Sequence, residues 1–545
     1  MRKHIYLALS LFNFALYLSM RSIWSGIEGM IGIHWLQFFF FGLLTILMIG
    51  GLIAQFIPLN KIVLHILIDV SAALLIALSY MLYLGIDSLR FFTRAFVDIL
   101  MTMMILYFVY FIIFRYPTCK LSKNRLYKRI LFGTFTTLLI VITFDLEFHF
   151  VTNKPVVYAV EDTYQIVWTT STNATAWVTI GNETYYDLYA GSEVSETTVH
   201  KVVVPMSDLD LAKSYTISSK HMIFRGPYSG IEGGSVSNTF AFRPVDLSDG
   251  LNYYTVSDTH TRNQAASEAA GYFGADLDFL ILGGDIMNHL ETASDAELIL
   301  QLGFDITQGE IPVIFARGNH EVKSTYSDQL HRYVGSLNEK FYYTFNLSGV
   351  FGVVLDLGED HDDTWWEYYD TVHFDLYREE QTVFLSEVVA EASYDDPSIQ
   401  YRMGICHIPV ALVDEEYLAD FQEDWTTLLN QMDLNIMVSG HKHQLLAFTT
   451  NIPAYVTFDY HDNYASRSEA GYRTDANFDN FVASRRADSQ LGQENLFGKV
   501  FTGMAVSVDF ASGKMTVTYT NHLKAVVPVI HPYTGVTITE FIIDL

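Results

Sequence analysis

The stretch YYTVSDTH, Tyr253–His260, decides the fold. It opens as a short apolar run of the length expected for a buried strand. It then ends abruptly in Asp258, Thr259 and His260, which bring a carboxylate and an imidazole together at one point. The same transition recurs downstream. LDFLIL ends at Gly283-Gly284-Asp285, and IPVIFA ends at Arg317-Gly318-Asn319-His320-Glu321. YRMGIC ends at His407, and NIMVS ends at Gly440-His441-Lys442-His443. Strand and helix patterns alternate between these runs, so the region from Leu251 reads as an α/β layered sandwich. In open α/β sheets ligands bind beyond the carboxyl ends of the strands. Five strand ends therefore deliver carboxylates, an amide and imidazoles to one edge.

Oxygen and nitrogen donors without thiolate suit Mn, Fe or Zn rather than a structural sulfur site. Two such cations about 4 Å apart can clamp a phosphoryl group and acidify a water. A carboxylate suits the bridging position, because it neutralises charge between them. The spacings are 27 residues from Asp258 to Asp285, 34 to Asn319, 88 to His407 and 34 more to His441.

In this order D-x-H, G-D, G-N-H-E, a lone His and G-H-x-H resemble the calcineurin-like metallophosphoesterase family, over roughly Leu251–Thr450. The resemblance implies a dinuclear site with two divalent metal ions as cofactors. Asp258, His260, Asp285 and His443 would hold the first. Asp285, Asn319, His407 and His441 would hold the second, with Asp285 bridging. His320 would contact the phosphate with Asn319 and protonate the leaving group, and Glu321 would orient His320. The implied chemistry is in-line attack on phosphorus by a metal-activated hydroxide. Arg317 is a further candidate for phosphate contact, with an ion pair to a nearby acid as its structural alternative.

Residues 154–245 read as strands and turns. YQIVWTT, TAWVTIG, HKVVVP and SYTISSK alternate apolar and polar residues. Their order resembles the fibronectin-III-like N-terminal domain of purple acid phosphatases. A β-sandwich over 151–247 is therefore expected, followed by the metallophosphoesterase domain over 248–545. The metal motifs depart from purple phosphatases at two places. His260 stands where those enzymes have Gly, and Asn288 stands where they have a Tyr that binds iron. That favours Mn or another divalent pair over Fe(III).

The first 150 residues differ in kind. Apolar stretches lie at roughly Ile5–Met20, Trp35–Pro58, Ile62–Gly85, Ala95–Phe114 and Ile130–Phe144. A bilayer-spanning helix needs about 20 apolar residues, so a transmembrane region of five helices is expected over 1–150. The loop RYPTCKLSKNRLYKR (Arg115–Arg129) holds six basic residues and no acid, which places it in the cytoplasm. Five spans then put everything after Phe150 on the outer side. The expected location is a multi-pass protein of the cell membrane with an extracytoplasmic catalytic domain. Cys119 and Cys406 fall on opposite sides, so no intramolecular disulfide is expected. His65, Asp69 and Asp98 within the spans read as helix-to-helix hydrogen-bonding groups, or as a lipid-phosphate site.

Charge follows the same division. The chain of 545 residues has a formal net charge of −28. Residues 1–150 hold 12 basic and 6 acidic residues, the remainder 21 and 55. An outer part this acidic repels polyanions, which argues against nucleic acid as partner and toward a small or membrane-linked phosphate ester. His361 sits in GEDHDDTWWEYYD, an acidic aromatic loop that either overhangs the site or is solvated surface. The polar insert between Tyr460 and Glu494 has no legible role, and KVFTGMAVSVDFASGKMTVTYTN reads as a hairpin completing the second sheet. The reading that follows is a membrane-anchored phosphoesterase. Its alternatives are a catalytically silent receptor on the same fold, or a lipid-linked phosphate hydrolase using the spans.

Overall fold

The computed structural model describes residues 154–189, 191–225, 230–366, 368, 371–413, 415–449, 452–456, 472–483, 501–530 and 535–545. The five expected spans, with His65, Asp69, Asp98 and Cys119, lie outside the described residues. Among the described residues no helix is long and apolar enough to cross a membrane. Cys406 is buried and free.

Four parallel strands form the centre of a 12-stranded sheet: Leu251–Val256, Phe279–Leu282, Pro312–Phe315 and Val156–Val160. A second, nine-stranded sheet has Val350–Leu355, Tyr401–Cys406, Ile436–Ser439 and Asp479–Ala483 running parallel at its centre. The side-chain period of two sorts the strand residues into layers. Tyr253, Phe279, Ile281 and Ile314 point inward and meet Val354, Met403, Ile405 and Val438 of the second sheet. Their neighbours Tyr254, Val256, Leu280, Leu282 and Phe315 point outward, against Ala265, Ala269, Ile299 and Leu302. Those come from the helices Asn263–Ala270 and Ala293–Thr307. On the far side Val353, Leu355 and Met437 pack on Leu385, Trp425 and Leu429. These belong to the helices Phe374–Glu391 and Ala419–Leu429.

The result is four layers, helix–sheet–sheet–helix. Strands covered on both faces explain the unbroken apolar runs in the sequence. Each buried large side chain contributes about 1.5–3 kcal/mol. Tyr253 ties the two sheets directly: its ring stacks on Phe279 at 4.8 Å, and its hydroxyl meets that of Tyr401 at 2.9 Å.

Three features differ from expectation. The strands expected as a separate sandwich extend the same sheet, because Val156–Val160 pairs parallel to Pro312–Phe315 on one side and antiparallel to Thr163–Ile180 on the other. VVYAV is apolar at every position and at most 1% exposed, as a central strand requires. The C-terminal hairpin forms (Thr502–Asp509 with Lys514–Asn521), but it joins the first sheet beside Leu251–Val256, not the second. Finally, the polar insert supplies a central strand, Asp479–Ala483, buried throughout between Ile436–Ser439 and Leu445–Thr449.

Candidate metal centre

The five strand ends do converge. The loops after the first two central strands are zipped together: Asp258 N–H donates to Gly284 O, His260 N–H to Asp285 O and Thr261 N–H to Ile286 O. Holding side chains inward along such tight turns requires left-handed backbone. Asp258 (φ 55°), His260 (44°), Asp285 (52°), His441 (70°) and His443 (51°) all adopt it. Strain of this kind costs about 1–3 kcal/mol per residue and collects at functional sites. Close approach demands the flanking glycines. A Cβ at Gly318 would strike Asp285 Oδ1, and one at Gly440 would strike Ser257 Oγ.

Two groups of ligand atoms result: Asp258, His260, Asp285 and His443, then Asp285, His407 and His441. Asp285 is common to both. Its Oδ1 accepts the His320 backbone N–H at 2.8 Å. Its Oδ2 lies 3.2 Å from His407 Nε2 and 3.8 Å from His260 Nε2. Asn319 joins the second group, with Oδ1 3.1 Å from His441 Nδ1.

The hydrogen bonds at the outer edges fix which lone pairs point inward. His407 Nδ1 donates to Gly283 O at 2.7 Å, so Nε2 is the nitrogen that faces Asp285 Oδ2, 3.2 Å away. His260 Nδ1 donates to Asn288 Oδ1 at 2.9 Å, so its bare Nε2 faces His443 Nε2 at 3.1 Å. Asn319 Nδ2 donates to Glu359 Oε1 and His441 Nε2 to Asp360 Oδ2, both at 2.9 Å. That leaves the Asn319 carbonyl and the bare His441 Nδ1 facing each other, acceptor against acceptor. Such an arrangement suits a cation held by both members. The donor set, oxygen and nitrogen only, fits divalent metals.

The titratable groups show the same tension. Burial alone would raise the Asp285 carboxyl, yet His407 and His320 hold it well below the usual range. Burial opposes charge on His407, but the Asp285 carboxylate outweighs it and pushes the imidazole up to about 10. Burial and nearby Asp285 push Glu321 up to about 7.

One of the expected roles changes. Glu321 does not touch the His320 ring. Its carboxylate accepts the backbone N–H groups of Asp285, Ile286, Met287 and Gly318 at 2.7–3.1 Å, so it shapes the loop that carries Asp285. The His320 ring is held instead by Asn288 O, 2.8 Å from Nδ1, with its edge on His260. Arg317 takes the ion-pair alternative. Its Nε donates to Asp356 at 2.7 Å and its guanidinium lies over Phe341 and Tyr377. Asn288, Glu359 and Asp360 are the site residues that motif reading missed. The acidic loop around His361 was the available signal, and it does reach the site through Glu359 and Asp360. His361 itself stacks on Trp365 at 4.1 Å.

No curated protein matches the sequence. Among solved structures, the purple acid phosphatase PPD1 from yellow lupin (Lupinus luteus) seeds aligns at 12% identity, covering 72% of this chain and 74% of that one, with a TM-score of 0.42. PhoD aligns at 11% identity over 72% of this chain and 90% of that one, TM-score 0.40. GAP50, the anchor in the inner membrane complex of Plasmodium, aligns at 12% identity over 55% and 90%, TM-score 0.32. Residues 252–445 match the family described as Calcineurin-like phosphoesterase, and all the strand ends above fall within them. The chain thus carries a calcineurin-like phosphoesterase domain and is a phosphoric ester hydrolase.

Proposed function

We propose that this protein is a membrane-anchored phosphoesterase that hydrolyses an extracytoplasmic phosphate ester at a dinuclear metal site. The observation that carries the reading is the pair of inward-facing ligand groups sharing Asp285. Asp258, His260, Asp285 and His443 would hold one divalent cation, and Asp285, Asn319, His407 and His441 the other. When bound, the two ions supply a lowered pKa for water and positive charge against the phosphoryl oxygens. The chain's own residues do the rest. Oδ2 of Asp285 faces both ligand groups, so one carboxylate offsets charge at their centre. His320 stands beside this centre with Nε2 3.9 Å from Asp285 Oδ2. Because Nδ1 is committed to Asn288 O, only Nε2 can give a proton to a departing alkoxide or steady a phosphoryl oxygen. Its side chain is 27% exposed, which leaves room for substrate to reach it.

The five apolar stretches and the basic Arg115–Arg129 loop support anchoring with the catalytic part outside. The acidity of residues 151–545 favours a small or membrane-linked ester. The test is turnover of the full chain with Mn(II) on paired chromogenic phosphate mono- and diesters. Asn319→Ala and His407→Ala should abolish it. Absence of metal-dependent turnover on either ester overturns the reading.

A further inference from the structure

Two consecutive acids, Glu359 and Asp360, reach the centre from a loop outside the five strand ends. We infer that this pair acts as a positioning device for the second metal position alone, selecting the inward-facing lone pairs of Asn319 and His441. The inference rests on the dinuclear reading of the site.

The contacts are direct. Asp360 Oδ2 lies 2.9 Å from His441 Nε2, and Glu359 Oε1 accepts from Asn319 Nδ2 at 2.9 Å. A carboxylate only accepts. Asp360 therefore commits Nε2 of His441 to be the protonated nitrogen and leaves Nδ1 bare toward the site. Glu359 likewise commits the Asn319 amide nitrogen outward and the carbonyl inward. Without them either group can turn: imidazole can move its proton to Nδ1, and the amide can rotate its NH₂ inward. Both changes put a donor where a cation must sit.

The acids are themselves fixed. Glu359 is wholly buried; its carboxylate meets Lys323 at 3.1 Å and accepts from the Tyr368 hydroxyl. Its backbone carbonyl accepts from Arg378 and from Tyr417, each at 2.7 Å. Arg378 is fully buried and also holds Leu357 O at 2.9 Å. The helix Phe374–Glu391 and Tyr417 thus hold the loop against the centre. The first position is organised differently, with His260 set by Asn288 and Asp258 by the Ser257 hydroxyl at 2.6 Å. Loss of such outer partners costs about 10–100-fold in metal affinity.

The experiment is Mn(II) titration of the full chain, read by metal content after desalting and by electron paramagnetic resonance. Wild type should retain two Mn per chain with a spin-coupled signal. Asp360→Asn, which lets the side chain donate, should retain one, with the signal of an isolated ion and the second ion bound about 10–100-fold more weakly. Glu359→Gln should do the same through Asn319. Thermal melting identifies a variant that fails to fold, and the other then decides. Variants that keep both ions at wild-type affinity overturn the inference and leave the function standing, as does equal loss of both ions in a folded variant. A wild-type chain that takes up no Mn(II) overturns both.

Discussion

The Glu321 carboxylate accepts the backbone N–H of Asp285 at 2.8 Å, and with the N–H groups of Ile286, Met287 and Gly318 it is wrapped by four donors. Each carboxylate oxygen takes two of them. This is what keeps Asp285, the residue common to both ligand groups, on a left-handed turn with its side chain aimed inward.

Glu321→Gln should therefore act on stability. An amide keeps one acceptor oxygen and turns an NH₂ toward two buried N–H groups, leaving them unsatisfied. The expected loss is on the order of 3 kcal/mol, read as a lower Tm of the metal-free chain. If Glu321 served His320 instead, kcat would fall at an unchanged Tm.

His320→Ala should give the opposite pattern. The ring is partly exposed and makes one backbone hydrogen bond, so its removal disturbs little packing. Loss of a positioned acid should lower kcat by about 10²–10⁴-fold while Mn content and Tm stay near wild type. Equal loss of bound Mn would make the imidazole a ligand rather than a proton donor.

The contrast between these neighbours marks what a linear motif can carry. Asp258, Asp285, Asn319, His407 and His441 were legible because each follows a continuous apolar run, and a strand buried on both faces can only be such a run. Residue type and place together then specify a ligand. Glu321 was legible as part of the motif but not in its role, since Gly-Asn-His-Glu does not say where a carboxylate turns. Glu359 and Asp360 come to Asn319 and His441 by closure of a loop whose sequence has no period. The partner of Val156–Val160 was illegible for a related reason: alternation reveals strands but not which edge they join. The same holds for Thr502–Asp509, which pairs with Leu251–Val256. Asp479–Ala483 was hidden by its polar flanks, although FVA is an ordinary buried strand core.

Arg317 and Asp356 form a second test of role against motif. Burial disfavours the guanidinium charge, but Asp356 outweighs it and raises the Arg317 pKa. Asp356 is 1% exposed. Arg317→Ala should leave that carboxylate buried and unpaired, costing about 3–5 kcal/mol. The double variant Arg317→Ala/Asp356→Asn should recover part of the loss, because the charge leaves with its partner. Chemical denaturation of the single and double variants measures the coupling. A fall in kcat/KM without loss of stability would instead place the guanidinium on the substrate.

A pH test is available away from the ligands. Asp295, in the first turn of Ala293–Thr307, is 6% exposed, and burial pushes its carboxyl up to about 6 from 3.8. Three donors resist that shift: the backbone N–H groups of Glu291 and Thr292 and the Thr292 hydroxyl, all on Oδ2. Because the folded pKa lies above the unfolded one, the native state binds more protons across this window. Stability from this group is then complete below about pH 4 and is lost as pH rises through about 6. At about 1.4 kcal/mol per pKa unit the full swing is at most about 3 kcal/mol. Asp295→Asn can keep all three hydrogen bonds with its carbonyl oxygen in the place of Oδ2, and it does not titrate. The variant should therefore gain stability relative to wild type as pH rises from about 4 to about 7. Unfolding curves at several pH values in that range measure the difference, and a constant gap between the two proteins would show that burial does not govern this carboxyl.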